Sequence, residues 1–363
     1  MSASQLLQEK LKSRMGLPPP PTAPSTSTKT HAGKKDYSPI LDWSQFYDQK
    51  RTVSVEDGSC FTVYQKGDCG PLFLLLHGGG YSGLTWACFT TAIYELIECQ
   101  LIAIDLRGHG DTTTTDDHKL SAQSLTDDVV SVFKKLYEDK EPPSVILMGH
   151  SLGGAIAVRV GKQGIPSLVG LIVLDVVEGS AMDALKSMQH FLNNRPQLFQ
   201  SMEHAIQWCY RSGSVRNLTS AKVSIPGQIK PADPSRVPRG SSVAIIEEEE
   251  GTEGESSSSA GYTWRVELQR TEEHWQGWFQ GLSALFLAVP VPKLLLLAGV
   301  DRLDRELTVG QMQGKFQMMV LPKVGHALHE DSPEQVAQAV ATFVTRHRIA
   351  ASKTTFQPLL PGC

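Results

Sequence analysis

Six short apolar runs, none alternating with polar residues and none as long as a typical helix, leave this chain few ways to fold. They read PLFLLLHGGG, CQLIAIDLRGHG, SVILMGHS, LVGLIVLDVV, PKLLLLAGVD and FQMMVLPKVGH. Continuous apolar runs of this length suit strands buried on both faces. Helical stretches lie between them, at 121–137, 153–161 and 334–347. Strands alternating with helices predict an α/β fold, a mostly parallel sheet with helices on both faces.

The fourth and fifth runs are separated by residues 178–290, too many for one crossover helix. Three stretches inside that gap, AMDALKSMQHFL, SMEHAIQWCY and HWQGWFQGLSALF, predict a helical cap. From about 226 to 261 the composition shifts to Pro, Ser, Gly and Glu, with Glu247–Glu250 in a row. Such a stretch cannot bury enough apolar surface to offset its ordering entropy, so a disordered acidic insertion is expected there. Residues 1–36 read as a flexible tail and 350–363 as a second one, which leaves 37–177 and 291–349 as two parts of one core.

The chain has 363 residues, is 40% hydrophobic and carries a formal charge of −4. That suits a sizeable core and argues against a nucleic-acid partner, which needs a basic face. The first residues lack the apolar stretch of a signal peptide, and no apolar run is long enough to cross a bilayer. A soluble intracellular protein, cytoplasmic or nuclear and without a membrane partner, is expected. Its six scattered cysteines fit reduced thiols, although the even count leaves disulfides open.

Gly149-His150-Ser151-Leu152-Gly153 stands where the third run meets a helix. A tight strand-to-helix turn needs small residues, and the helix N-terminus points free N–H groups at any developing oxyanion. Ser151 is the candidate nucleophile, against the plainer reading of a glycine-rich structural turn. Upstream, His77-Gly78-Gly79-Gly80 ends the first run, and an oxyanion hole would take N–H groups from Gly79 and Leu152, with Gly78 or Gly80 as further donors. His77 itself reads as structural. For the base, His326 follows the last run behind a glycine, while His329 reads as packing. Asp105 ends the second run before the serine and is expected to hold Arg107 and its turn. The acid that orients the histidine is either Asp175 or Asp301, each at the end of a run and between serine and histidine in chain order. The loop after the fifth run is the commoner address, which favours Asp301, but spacing does not decide between them.

LFLLLHGGGYSGLTW, AIDLRGHGDT, GHSLGGAIAV, LDVVEGSAMDAL, PKLLLLAGVDRLD, LTVGQMQGKFQM and VGHALHEDSP together resemble the protein phosphatase methylesterases, serine esterases of the α/β-hydrolase fold, over about residues 36–348. Two of these segments, around 174–189 and 302–318, are not required by the hydrolase fold and make the resemblance specific. It implies a triad of Ser151, Asp175 and His326, with Asp301 as the alternative acid. It also implies that the substrate and partner is the catalytic subunit of protein phosphatase 2A, methylated on its C-terminal leucine. Acyl transfer of this kind needs no metal and no organic cofactor. Met312 is a candidate lining residue of the leucine pocket, against a core methionine. Trp264 and Trp275 in the cap read as packing residues before substrate contacts. Val243-x-x-Ile246-x-Glu248 resembles a docking motif for a phosphatase regulatory subunit, against a solvating acidic stretch. Two other readings stand beside this one: a small-molecule esterase or lipase of the same fold, and a phosphatase-binding inhibitory protein with secondary catalysis.

Overall fold

The computed structural model describes residues 36–38, 40–233, 261–299 and 303–354. Asp301, Val243, Ile246 and Glu248 lie outside the described residues.

The chain opens with a hairpin, β1 (Gln49–Ser54) and β2 (Cys60–Lys66), turning at Asp57-Gly58. There follow β3 (Leu72–Leu76), α1 (Ala87–Leu96), β4 (Gln100–Ile104), α2 (Ala122–Leu136), β5 (Val145–His150), α3 (Leu152–Gln163) and β6 (Leu168–Leu174). Next come α4 (Glu178–Asn194), α5 (Met202–Arg211), α6 (Leu218–Ser224), β7 (Ile229–Pro231), β8 (Tyr262–Trp264), α7 (Glu272–Phe279) and α8 (Leu282–Ala288). The chain then runs through β9 (Lys293–Leu297), α9 (Arg305–Met312), β10 (Gln317–Val320), a short α10 (Leu328–Asp331) and α11 (Pro333–Arg346).

Eight strands form one sheet in the order β1-β2-β4-β3-β5-β6-β9-β10. The six apolar runs supply six mutually parallel strands, and among the described strands of this sheet only β2 runs against them, pairing antiparallel with β4 and with the edge strand β1. The period of two along each strand sorts their side chains to two cores. Leu72, Leu74, Leu76, Leu147, Val173 and Leu295 face one side, where α2, α3 and α8 cover them. Phe73, Leu75, Ile146, Met148, Ile172 and Leu296 face the other, under α1 and α11. Covering both faces explains why the runs carry no polar alternation.

The elements from α4 to α7 form the cap, which has its own core around Phe199, Ile206, Cys209, Ile225 and Trp264. The helical stretch over 274–286 is divided at Gly281, whose φ of 75° starts α8 afresh. Residues 226–233, which composition assigned to the insertion, are structured, with Ile229–Pro231 pairing antiparallel to Tyr262–Trp264. Apolar Ile229 and Trp264 at that pairing are the local cause, since both are buried in the cap core. Among the described residues, no helix is long and apolar enough to cross a membrane.

Candidate active site

The site is assembled at the C-terminal ends of the parallel strands, where open α/β sheets place their ligands. Ser151 sits between β5 and α3 with φ 52° and ψ −120°. That backbone is sparsely populated for a residue with a Cβ, and its neighbours hold it there. The serine N–H donates to the carbonyl of Leu174 at 3.0 Å, and its carbonyl accepts from Ala155 at 3.1 Å. Glycine is needed on both sides for space. A Cβ on Gly149 would lie 2.2 Å from the Gly153 carbonyl oxygen, and one on Gly153 would lie 2.2 Å from that of Leu76. Leu152 opens α3, so its N–H has no intrahelical acceptor and points out of the helix with the positive end of the dipole.

Asp175 follows β6 and is also left-handed, with φ 49°. Its carboxylate is buried, and both oxygens are engaged. Oδ1 accepts from the Ala298 N–H at 2.9 Å, and Oδ2 lies 2.8 Å from Nδ1 of His326. The Asp175 N–H donates to the Leu296 carbonyl at 2.8 Å, so β9 and the residue just after it grip this residue twice. Sequence spacing left two candidates for the acid; the structure brings Asp175 to the histidine, whereas Asp301 lies outside the described residues.

His326 stands on the loop after β10, with a side chain 30% exposed. The backbone on both sides of it is tied down. Asp331 Oδ2 accepts the Gly325 N–H at 2.6 Å, and His150 Nε2 donates to the His326 carbonyl at 2.9 Å. Asp331 Oδ1 also accepts from the Arg216 N–H at 2.7 Å, and Arg216 Nη1 donates to Lys323 at 3.2 Å. The cap segment between α5 and α6 therefore holds the loop that carries the histidine. Burial, with the neighbouring His326, pushes the His150 pKa down to about 3, so at neutral pH this ring is an uncharged donor through Nε2.

The His77–Gly80 loop, the expected oxyanion loop, is organised by two more neutral histidines. His77, fully buried, donates through Nδ1 to Gly78 at 2.8 Å and accepts the Leu106 N–H on Nε2 at 3.0 Å. His109 donates through Nδ1 to Arg107 at 2.7 Å, which leaves Nε2 to accept the Gly80 N–H at 2.9 Å. Burial lowers the His109 pKa to about 4, consistent with that acceptor role. Because the Gly80 N–H is committed to His109, Gly79 is left as the donor that can face the cavity, which it lines.

Ser151, Leu152, Gly79, Asp175 and His326 all line one cavity of about 590 Å³. Its walls are mostly apolar and come from the cap, with Leu185, Met188, Trp208, Trp275 and Phe279 among them. Trp264 and Trp275 are buried packing residues that also face this space, each with its indole N–H paired, to Pro196 and to Thr271. Met312 does not line it: at the C-terminal end of α9 it is 84% exposed. Asp105 holds its turn through the N–H groups of Gly83 and Asp111 at 2.6 and 2.9 Å, but not Arg107. Arg107 instead pairs with Asp128 through two bonds of 2.6 and 2.8 Å. His329 is buried with Nε2 at 2.9 Å from the Thr85 hydroxyl, a packing residue as expected. His109, His150 and Asp331 were not singled out by motif; their roles depend on which backbone groups the fold brings beside them. Among the described residues there is no cluster of side chains that could hold a metal ion.

Comparison with known proteins agrees with this fold. The sequence pattern of the alpha/beta hydrolase family matches residues 73–339. Protein phosphatase methylesterase 1 of Mus musculus is 50% identical over 351 residues, covering 91% of this chain and 90% of that protein. The Homo sapiens protein of the same name is likewise 50% identical, with the same coverage. A probable protein phosphatase methylesterase 1 of Caenorhabditis elegans is 50% identical over 336 residues, 92% of this chain and 84% of that one. Among solved structures, E-2-(acetamidomethylene)succinate hydrolase superposes with a TM-score of 0.63 at 19% identity, over 82% of this chain and 99% of that one, a likeness of fold alone.

Proposed function

This chain belongs to the protein phosphatase methylesterase 1 family of alpha/beta hydrolases, and on that footing we propose that it is a serine carboxylesterase that removes the methyl ester from the C-terminal leucine of the protein phosphatase 2A catalytic subunit. The observation that carries the catalytic assignment is the 2.8 Å contact between Asp175 Oδ2 and His326 Nδ1, on the wall of the cavity that Ser151 also lines.

With Nδ1 committed to Asp175, His326 has Nε2 left to take the Ser151 hydroxyl proton as Oγ attacks the ester carbonyl. The carbonyl oxygen becomes an oxyanion and receives the N–H groups of Gly79 and Leu152. Loss of one such donor typically costs about 10²–10³ in rate. Collapse breaks the bond to the methoxy group, which leaves as methanol with the proton from His326. Water then gives its proton to His326 and attacks the acyl-enzyme, and Ser151 is regenerated with release of the leucine carboxylate.

Ser151→Ala tests the reading. Methanol release from methylated phosphatase 2A core enzyme should fall by about 10⁶ in kcat, as for other serine hydrolases. Demethylation at the wild-type rate would overturn it. A small-ester turnover that survives while the methylated phosphatase is left untouched by the wild type would select the general esterase instead.

A further inference from the structure

Arg195 caps the C-terminal end of α4 and lines the active-site cavity. Its guanidinium lies over the Trp264 ring at 4.4 Å. Its hydrogen bonding among the described residues is a long 3.5 Å donation from Nη2 to the Val266 carbonyl, and its buried Nε has no acceptor. Arginine presents five N–H donors, and a half-buried guanidinium with so few partners is costly. Arg107 shows what this fold does with a buried arginine elsewhere, where Asp128 meets it with two oxygens. No carboxylate among the described residues plays that part for Arg195. Burial brings its pKa down to about 10, which leaves it charged at neutral pH.

The carboxylates that share the cavity lie elsewhere and are engaged. Asp304 accepts from Ser283 Oγ and the Leu307 N–H, and Asp183 pairs with Lys186. Asp183 and Arg195 are twelve residues apart along α4, about 18 Å of helix axis, so the cavity has a cationic end.

We propose that Arg195 is an anionic subsite of this cavity, one that receives an acidic side chain of the peptide substrate upstream of the scissile ester. The proposal rests on the esterase reading above. The esterified terminus is itself neutral, so the anion must come from another residue. Position supports this. Val266, the acceptor for Arg195, is two residues from Leu268, and a Cβ built on Gly79 or Gly80 would meet the Leu268 side chain at 3.7 or 3.0 Å. Extended chain covers about 3.3 Å per residue, so a peptide with its ester carbonyl at Gly79 brings a residue roughly two to four places upstream to the guanidinium. A cavity of about 590 Å³ has room for more than a leucyl ester. The anion is either a carboxylate or the phosphate of a phosphorylated residue, which share the fork geometry that arginine reads.

The test uses the full chain and acetylated peptides ending in leucine methyl ester, with alanine, glutamate or phosphoserine placed two, three or four residues upstream. With wild type, kcat/KM should be about tenfold higher for the anionic peptides than for the alanine peptide at one of these positions, mainly through KM. In Arg195→Met, which keeps an unbranched side chain over Trp264, that ratio should collapse towards one. Arg195→Lys should retain part of it. A preference for phosphoserine over glutamate would identify a phosphate source, and equal preference a simple charge. No preference at any position in wild type, or a ratio unchanged in Arg195→Met, would overturn the subsite. Failure of wild type to hydrolyse even the alanine peptide would instead count against the esterase reading.

Discussion

A serine held at φ 52° and ψ −120° costs about 1–3 kcal/mol of backbone strain, and Asp175 adds a second left-handed residue across the site. Both are fixed by main-chain hydrogen bonds from neighbouring strands, so the strain points two side chains into the cavity without freedom to turn away. The acid can be tested directly. Asp175→Asn keeps the volume and an oxygen for the Ala298 N–H but favours the wrong histidine tautomer, so kcat should fall by about 10⁴. Asp301→Asn, measured beside it by the same methanol-release assay, should cost little; the reverse ranking would move the acid to Asp301. Ser151 and His326 stand out as candidates in the sequence because each ends an apolar run, the serine with a glycine two residues away on either side and the histidine directly behind one. Asp175 was not separable from Asp301 by spacing, since both follow such a run, and the family resemblance was needed to choose. Arg195 gave no sequence signal, because the role proposed for it rests on how few partners it has among the described residues.

At the scale of elements, the proposed base His326 is a problem of loop placement. The segment between β10 and α10 has no ladder of its own, and its geometry depends on His150 from the β5 end and on Asp331 from α10. His150→Phe keeps a ring against His326 but loses the donor to its carbonyl. Asp331→Asn keeps an acceptor for one of the two N–H groups it now serves. Each should lower kcat by about tenfold with KM little changed, because a base displaced by a fraction of an ångström still permits substrate binding. Equal losses in kcat and 1/KM would mean that the cavity, and not the histidine, had moved. The six parallel strands were legible because burial on both faces demands unbroken apolar runs. The β1–β2 hairpin was not, since an edge strand reading Gln49-Lys50-Arg51-Thr52-Val53-Ser54 buries only Val53. The Asp57-Gly58 turn was the one local signal for it. Composition assigns 226–233 to the insertion for a similar reason: the strand partner of Ile229, Trp264, lies 35 positions away.

Over the whole molecule, the junction of sheet and cap concentrates buried titratable groups that oppose one another in their response to pH. His77, His109, His150 and His329 have lowered pKa values through burial, so their neutral forms favour the fold above about pH 6.5, and that contribution declines as pH falls below it. Glu330, on α10 between His329 and Asp331, works in the opposite sense. Burial, offset in part by the hydroxyls of Ser224 and Thr85, pushes its pKa from 4.5 up to about 8. Its contribution to stability is complete below pH 4.5, where it is protonated folded or unfolded, and is lost as pH rises towards 8. Because these terms overlap, the overall pH profile does not isolate either of them, but a paired difference does. Glu330→Gln keeps the volume and removes the buried charge. Its Tm relative to wild type should be near zero at pH 5 and rise by on the order of 5 °C at pH 8.5, followed by differential scanning fluorimetry in buffers of equal ionic strength. A difference that stays constant across that range would show that Glu330 remains ionised in the folded protein. Since α10 directly follows the loop that carries His326, the wild type should also lose activity faster than Glu330→Gln on incubation at pH 8.5, and at the same rate at pH 5.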